Sequence, residues 1–139
     1  MVFYSKVTNY VMTNGQVDFA ATSHHECRLG KWYDSGQGKQ LYSQLKSYRS
    51  LEAPHGKFHA LAQECKKIDL STLTQHSKDH LKSILLEMSK CSGMVCDALD
   101  AIMAEKSVEL DKLAIEPIKE ELVEQINRTH VSRRAAVVH

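Results

Sequence analysis

The sequence predicts an all-α protein, a helical bundle of about four helices with a helical extension at its C-terminal end. Three observations carry that prediction. The 139 residues include only two prolines, Pro54 and Pro117, and glycine is sparse after Gly56, so long helices are permitted over most of the chain. Apolar residues recur at helical spacing, most plainly Leu81, Ile84, Leu85, Met88, Val95, Leu99 and Ile102. No stretch alternates apolar and polar residues for a useful strand length, and no repeat is present.

In chain order, Met1 to Thr13 reads as a helix stopped by the turn pair Asn14-Gly15. Residues 23–39, "SHHECRLGKWYDSGQGK", hold Gly30, Gly36 and Gly38, the lone Trp32, two histidines and a cysteine. They read as a turn-rich element, with Trp32 as a packing anchor and Gly30 allowing a close helix approach. Lys39 to Ser50 is expected to be a helix with Leu41, Leu45 and Tyr48 on one side. The next helix takes Pro54 in its first turn, where a missing N–H costs nothing. It carries Phe58, Leu61, Cys65 and Ile68. "DLSTLTQ" supplies cap residues for the long run from Leu81 to Ile102. Leu110, Leu113, Ile118, Leu122 and Ile126 form a last amphipathic stripe, kinked or restarted near Pro117. The domain division expected is 1–104 for the bundle and 105–139 for the extension. An apolar stripe of this length needs a cover, which predicts a two-fold homodimer.

Formal net charge is +1 with both signs interleaved, which argues against a nucleic-acid footprint. No apolar run is long enough to span a bilayer, so no direct membrane insertion is expected. The N-terminal residues lack a secretory pattern. The location expected is therefore cytoplasmic. There Cys27, Cys65, Cys91 and Cys96 would be free thiols or metal thiolates.

"PHGKFH" places His55 and His59 four apart on a helix, where side chains are neighbours and two imidazoles can chelate one ion. His55 lies between Leu51 and Phe58 and so faces the core, where a buried imidazole needs a partner. The alternative is that both simply hydrogen-bond. His76 and His80 repeat the spacing, and spacing alone does not choose between the pairs. Cys27 is a natural third ligand for zinc, which favours sulfur and imidazole nitrogen. Arg28 and Lys31 beside it favour the thiolate. Otherwise Cys27 is a small buried apolar residue, the role assigned to Cys65, Cys91 and Cys96. "GQGK" lacks the full glycine pattern of a phosphate loop.

At "HHECRLGKWYDSGQGK", followed by "YRSLEAPHGKFH", the chain closely resembles the chemoreceptor zinc-binding (CZB) family of bacterial cytoplasmic sensor domains. The family pattern is a cysteine, a large apolar residue, glycine, a variable residue and an aromatic, and later two histidines four apart. Here these are Cys27, Leu29, Gly30, Lys31, Trp32, His55 and His59. The match is continuous over Ser23 to about Ala62, and the following helices fit the family's bundle to about Met103.

The resemblance implies Zn2+ held by Cys27, His55 and His59 rather than by His76 and His80. It also implies a homodimer and an attached signalling output module, of chemotaxis-receptor or diguanylate-cyclase type. The family's first histidine precedes the aromatic matched by Phe3 and would fall just before Met1. The first helix is thus expected to be truncated. The fourth ligand would be a residue before Met1, water, His24, His25 or, more remotely, His130.

Three functions follow. The first is a regulatory sensor, not an enzyme, that responds to zinc or to oxidation of the zinc thiolate. The second is a zinc metalloenzyme with an open coordination position, which would need a base such as Glu26 or Glu52 at the metal. The third is a purely structural zinc bundle, unfolding when its metal is removed.

Overall fold

A computed structural model describes residues 2–138, and the side chains of residues 3–131. Its described residues form five α-helices and one 3₁₀ segment, with no strand among them. The helices are α1 (Val2–Met12), α2 (Arg28–Asp34), α3 (Gln37–Tyr42), α4 (Glu52–Lys66) and α5 (Gln75–Val138), and the 3₁₀ segment is Lys46–Leu51. The all-α expectation holds, with one more helix than expected. The chain divides into two units, Met1–Ile102 and Met103–His139.

α1 ends at the predicted turn. Asn14 and Gly15 both take positive φ, 51° and 82°, and the Gly15 N–H donates to the Tyr10 carbonyl at 2.8 Å. That bond satisfies one of the helix's last carbonyls. The chain then runs without regular structure along α4. Three α4 side chains on one face hold it by its carbonyls. His59 Nδ1 meets the Thr22 carbonyl at 2.9 Å, Gln63 Nε2 donates to Ala21 at 3.4 Å, and Lys66 Nζ donates to Phe19 at 2.7 Å. Lys66 also pairs with Asp18 at 2.5 Å. The spacing of 59, 63 and 66 is that of a single helix face, so α4 sets the path of the chain toward Cys27.

The expected Lys39–Ser50 helix is replaced by α3, a break and the 3₁₀ segment. Leu45 is extended (φ −74°, ψ 143°). Leu45, Tyr48 and Leu51 are all buried, whereas Leu41 is 52% exposed. Residues three apart align in a 3₁₀ helix but drift apart in an α-helix, so this conformation buries all three at once. Residues 28–34, expected to be a turn, form the short α2. Gly30 indeed marks a close approach, but to the chain rather than to a helix. A Cβ there would lie 1.8 Å from the His24 carbonyl oxygen. Gly38 seats the Trp32 indole, 2.5 Å from where its Cβ would stand, which fits the expected packing role of Trp32.

α4 buries Pro54, His55, Phe58, His59, Ala62 and Cys65 on one stripe. The link to α5 is capped as its sequence predicts. Asp69 accepts from the Ser71 N–H at 2.9 Å, and Thr74 Oγ1 accepts from the Ser77 N–H at 3.1 Å, an N-cap contact. α5 then buries Leu81, Ile84, Met88, Cys91, Val95, Ala98 and Ile102, in steps of three and four. Its first part packs with Phe58, Ala62 and Val7 in one core cluster. Its later part packs with Leu45, Tyr48 and Leu51 in a second. Cys65 and Cys91 are core residues as expected, but Cys96 is exposed. It follows Val95 by about 100° of helical rotation and so leaves the buried stripe.

In the second unit the expected restart near Pro117 does not occur, and α5 continues through it. Strong helix formers flank the proline, among them Glu116, Lys119, Glu120 and Glu121, so the neighbouring positions add little to its cost. Glu116–Lys119 and Glu124–Arg128 ion pairs add surface support. Leu110, Leu113, Ile118, Leu122 and Ile126 are all more than half exposed. No helix among the described residues is long and apolar enough to cross a membrane.

Candidate metal centre

The first turns of α4 project His55 and His59 inward, where they are the two buried polar residues of the core, 3% and 4% exposed. α2 presents Cys27 to them as its N-cap. The sulfur accepts from the Gly30 N–H at 3.3 Å and, as a thiol, donates to the His24 carbonyl at 3.6 Å. The same carbonyl excludes a side chain at position 30, so the glycine lets the turn close tightly enough to aim the sulfur. Cys27 Sγ lies 3.2 Å from His55 Nε2. One donor atom each from Cys27, His55 and His59 falls within 4.8 Å of the others.

The imidazoles are in a state that could ligate a metal. Burial, chiefly, lowers the pKa of His55 to about 4, the nearby His59 and His24 adding to the shift and Glu52 and Asp34 opposing it. Burial also lowers His59, against the effect of its Thr22 hydrogen bond. Both rings are therefore neutral at pH 7, the form that binds metal. His59 donates its Nδ1–H to Thr22, which leaves the Nε2 lone pair free and fixes the ring's orientation. Phe3 supports the same ring, with centroids 4.7 Å apart. The donor set, one sulfur and two imidazole nitrogens, suits a borderline ion such as zinc.

These three residues line a cavity of about 570 Å³ whose walls include Phe3, Phe58 and Val95. The charged side chains on its lining are Lys6 and Arg28. Lys31, the other expected cation beside Cys27, is exposed on α2 and is not among the lining residues.

The remaining histidines sit elsewhere. His76 and His80 are exposed at the start of α5, and His80 pairs with Glu64 at 3.0 Å. His130 is exposed in the second unit. His24 and His25, weighed as a fourth ligand, form a second group with Glu52. His24 Nε2 lies 2.8 Å from Glu52 Oε1, so the carboxylate considered as a base is engaged by an imidazole. His25 Nδ1 lies 2.7 Å from Asp34 Oδ2, a contact that raises the His25 pKa above its ordinary value. The sequence reading missed this second grouping. The adjacency of His24 and His25 was visible, but Glu52 and Asp34 join them only through the fold.

Residues 1–66 match the family described as the chemoreceptor zinc-binding domain. That span runs from α1 to the last residue of α4 and contains Cys27, His55 and His59. It stops short of α5. No curated protein and no solved structure matches the chain.

Proposed function

Residues 1–66 are a chemoreceptor zinc-binding domain, and from that premise we propose that the chain is a zinc-binding regulatory module of a signalling protein, with Cys27, His55 and His59 as its zinc ligands. The observation that carries the ligand set is the meeting of the Cys27 sulfur with two buried, neutral histidines from the first turns of α4. Zinc held there would tie the turn before α2 to α4, and residues 1–104 would act as the sensor bundle. The test is zinc analysis of the purified protein, expected to give one tightly held, thiolate-bound zinc per chain. His55→Ala and His59→Ala are each expected to abolish it, while His76→Ala leaves it intact.

The signal in this reading is zinc occupancy or oxidation of the Cys27 thiolate. An oxidant of the hypochlorous acid class transfers oxygen to the thiolate, giving the sulfenic acid and releasing chloride. The oxidised sulfur is a poorer zinc ligand. Lys6 and Arg28 on the cavity wall favour entry of the anionic form. Release of the sulfur would remove one of the ties between the turn at His24–Cys27 and α4, leaving the His24–Glu52 contact. α5 packs against α4 and the 3₁₀ segment and continues beyond Ile102 to Val138, a route to an attached output module in the cytoplasm. The exposed stripe from Leu110 to Ile126 would pair with a second copy.

A metalloenzyme is the weaker reading. Catalysis needs a base beside the metal, whereas the charged groups lining the cavity are cations and Glu52 is engaged by His24. A carboxylate-dependent hydrolytic activity lost on Glu52→Gln would favour it.

A further inference from the structure

We propose that His24, His25 and Glu52 form a second divalent-cation site, more exposed than the Cys27 centre and adjoining it where the His24 ring meets His55. One ligand atom from each of the three residues lies within 4.8 Å of the others. His24 Nε2 and Glu52 Oε1 lie 2.8 Å apart, so that one cation can be held between them. His25 donates its Nδ1–H to Asp34 Oδ2 at 2.7 Å, which leaves its Nε2 lone pair free. A carboxylate holding the far nitrogen of a ligating histidine is the usual way such a ring is oriented for metal.

The fold builds this group rather than leaving it to chance. Glu52 and Gly56 are one turn apart on α4, and the His24 ring lies against Gly56, with Cε1 3.4 Å from where a Cβ would stand. The His24 and His25 rings lie 4.0 Å apart. The His24 backbone is pinned by the Gly30 close approach and by Cys27. His24 also packs edge-on to His55, with centroids 5.5 Å apart, so the two groups adjoin without sharing a residue. Two imidazoles and one carboxylate suit Zn2+, Ni2+ or Cu2+. A cation in either centre lowers the affinity of the other by the same factor, and the Glu52 and Asp34 carboxylates offset part of that repulsion.

Cobalt titration of the 139-residue chain tests the proposal, because thiolate-bound Co2+ gives a sulfur-to-metal charge-transfer band and nitrogen/oxygen-bound Co2+ does not. Two equivalents are expected, only one of them producing the band. His25→Ala and Glu52→Gln should each remove the bandless equivalent and leave the band. Asp34→Asn, acting on a positioning residue, should weaken that equivalent by about tenfold. Cys27→Ser should remove the band and keep the second equivalent, so the two sites fail independently. The proposal is overturned if the wild-type protein takes up only one equivalent, or if His25→Ala and Glu52→Gln leave the second unchanged. It is equally overturned if His24→Ala abolishes the charge-transfer band, which would make His24 a ligand of the Cys27 centre.

Discussion

The Nε2 of His55 lies 3.2 Å from the Sγ of Cys27 although 28 residues separate them. His55 reaches the meeting point from the first turn of α4, and Cys27 reaches it from the N-cap of α2. The connection between them carries α2, α3 and the 3₁₀ segment, which pack with α5 in the second core cluster. The juxtaposition is therefore held from both sides by packing.

The ligand assignment predicts a clear ranking of variants. Cys27→Ser, His55→Ala and His59→Ala should each weaken zinc binding by more than the roughly 10–100-fold that loss of an outer-shell partner costs. His76→Ala and His80→Ala should change it little, because both residues are exposed at the start of α5. Competition titration with a zinc chelator measures this directly. Loss of binding in the His76 and His80 variants, with binding kept in the others, would show the wrong pair had been chosen.

Stability without added metal should rise with pH between about 4 and the ordinary histidine pKa of about 6.5. His55 is held down to about 4 by burial and His59 is lowered in the same direction. Over that window the unfolded chain binds more protons than the folded one, so acid favours unfolding. The stabilisation is fully present above the unfolded pKa and lost as pH falls toward the folded one. His55 alone contributes about 3 kcal/mol of this dependence. Denaturant melts at pH 4.5 and 7 in the presence of a chelator check it, and His55→Gln should flatten the slope. Zinc affinity should fall with pH in the same direction.

Three glycine-to-alanine changes should separate by sign. At Gly30 the new Cβ would stand 1.8 Å from the His24 carbonyl oxygen. The backbone must shift, costing about 1–3 kcal/mol or more, and the Cys27 sulfur should lose its aim at His55. At Gly38 the Cβ would meet the Trp32 ring at 2.5 Å, destabilising the fold without touching Cys27, His55 or His59. At Gly93, inside α5, nothing lies within 4 Å, and alanine should stabilise by about 0.5–1 kcal/mol. Thermal melts and zinc titration of the three variants give the comparison.

Oxidation should be read in a Cys96→Ser background. Cys96 is exposed while Cys65 and Cys91 are buried, so Cys96 would otherwise compete with Cys27 through access alone. With it removed, substoichiometric hypochlorite should modify Cys27 first and release zinc. Earlier modification of Cys65 or Cys91 in peptide mapping, or zinc retained after Cys27 oxidises, would leave zinc occupancy as the only signal.

The exposed stripe in the second unit predicts association. Leu113→Glu with Leu122→Glu should shift a homodimer toward monomer in sedimentation at micromolar concentration. A wild-type protein already monomeric there would remove the dimer from the reading.

The sequence by itself determined what local periodicity encodes. The 3.6-residue period places His55 and His59 on one buried face of α4, and the apolar stripe of α5 follows from steps of three and four. The Asn14-Gly15 stop and the Thr74 cap are equally local, since each depends on one or two residues and their own backbone. Cys27 entered the ligand set as a plausible third donor and through the family pattern, because nothing in spacing predicts a contact across 28 residues. Tertiary structure decided that contact, by binding the carbonyls of Phe19, Ala21 and Thr22 to Lys66, Gln63 and His59. It also broke the expected 39–50 helix, where burying Leu45, Tyr48 and Leu51 together outweighed helical continuity. The same packing gathered Glu52 and Asp34 around His24 and His25. Periodicity fixes which face a residue occupies on its own helix, but which faces meet depends on the packing of the whole chain.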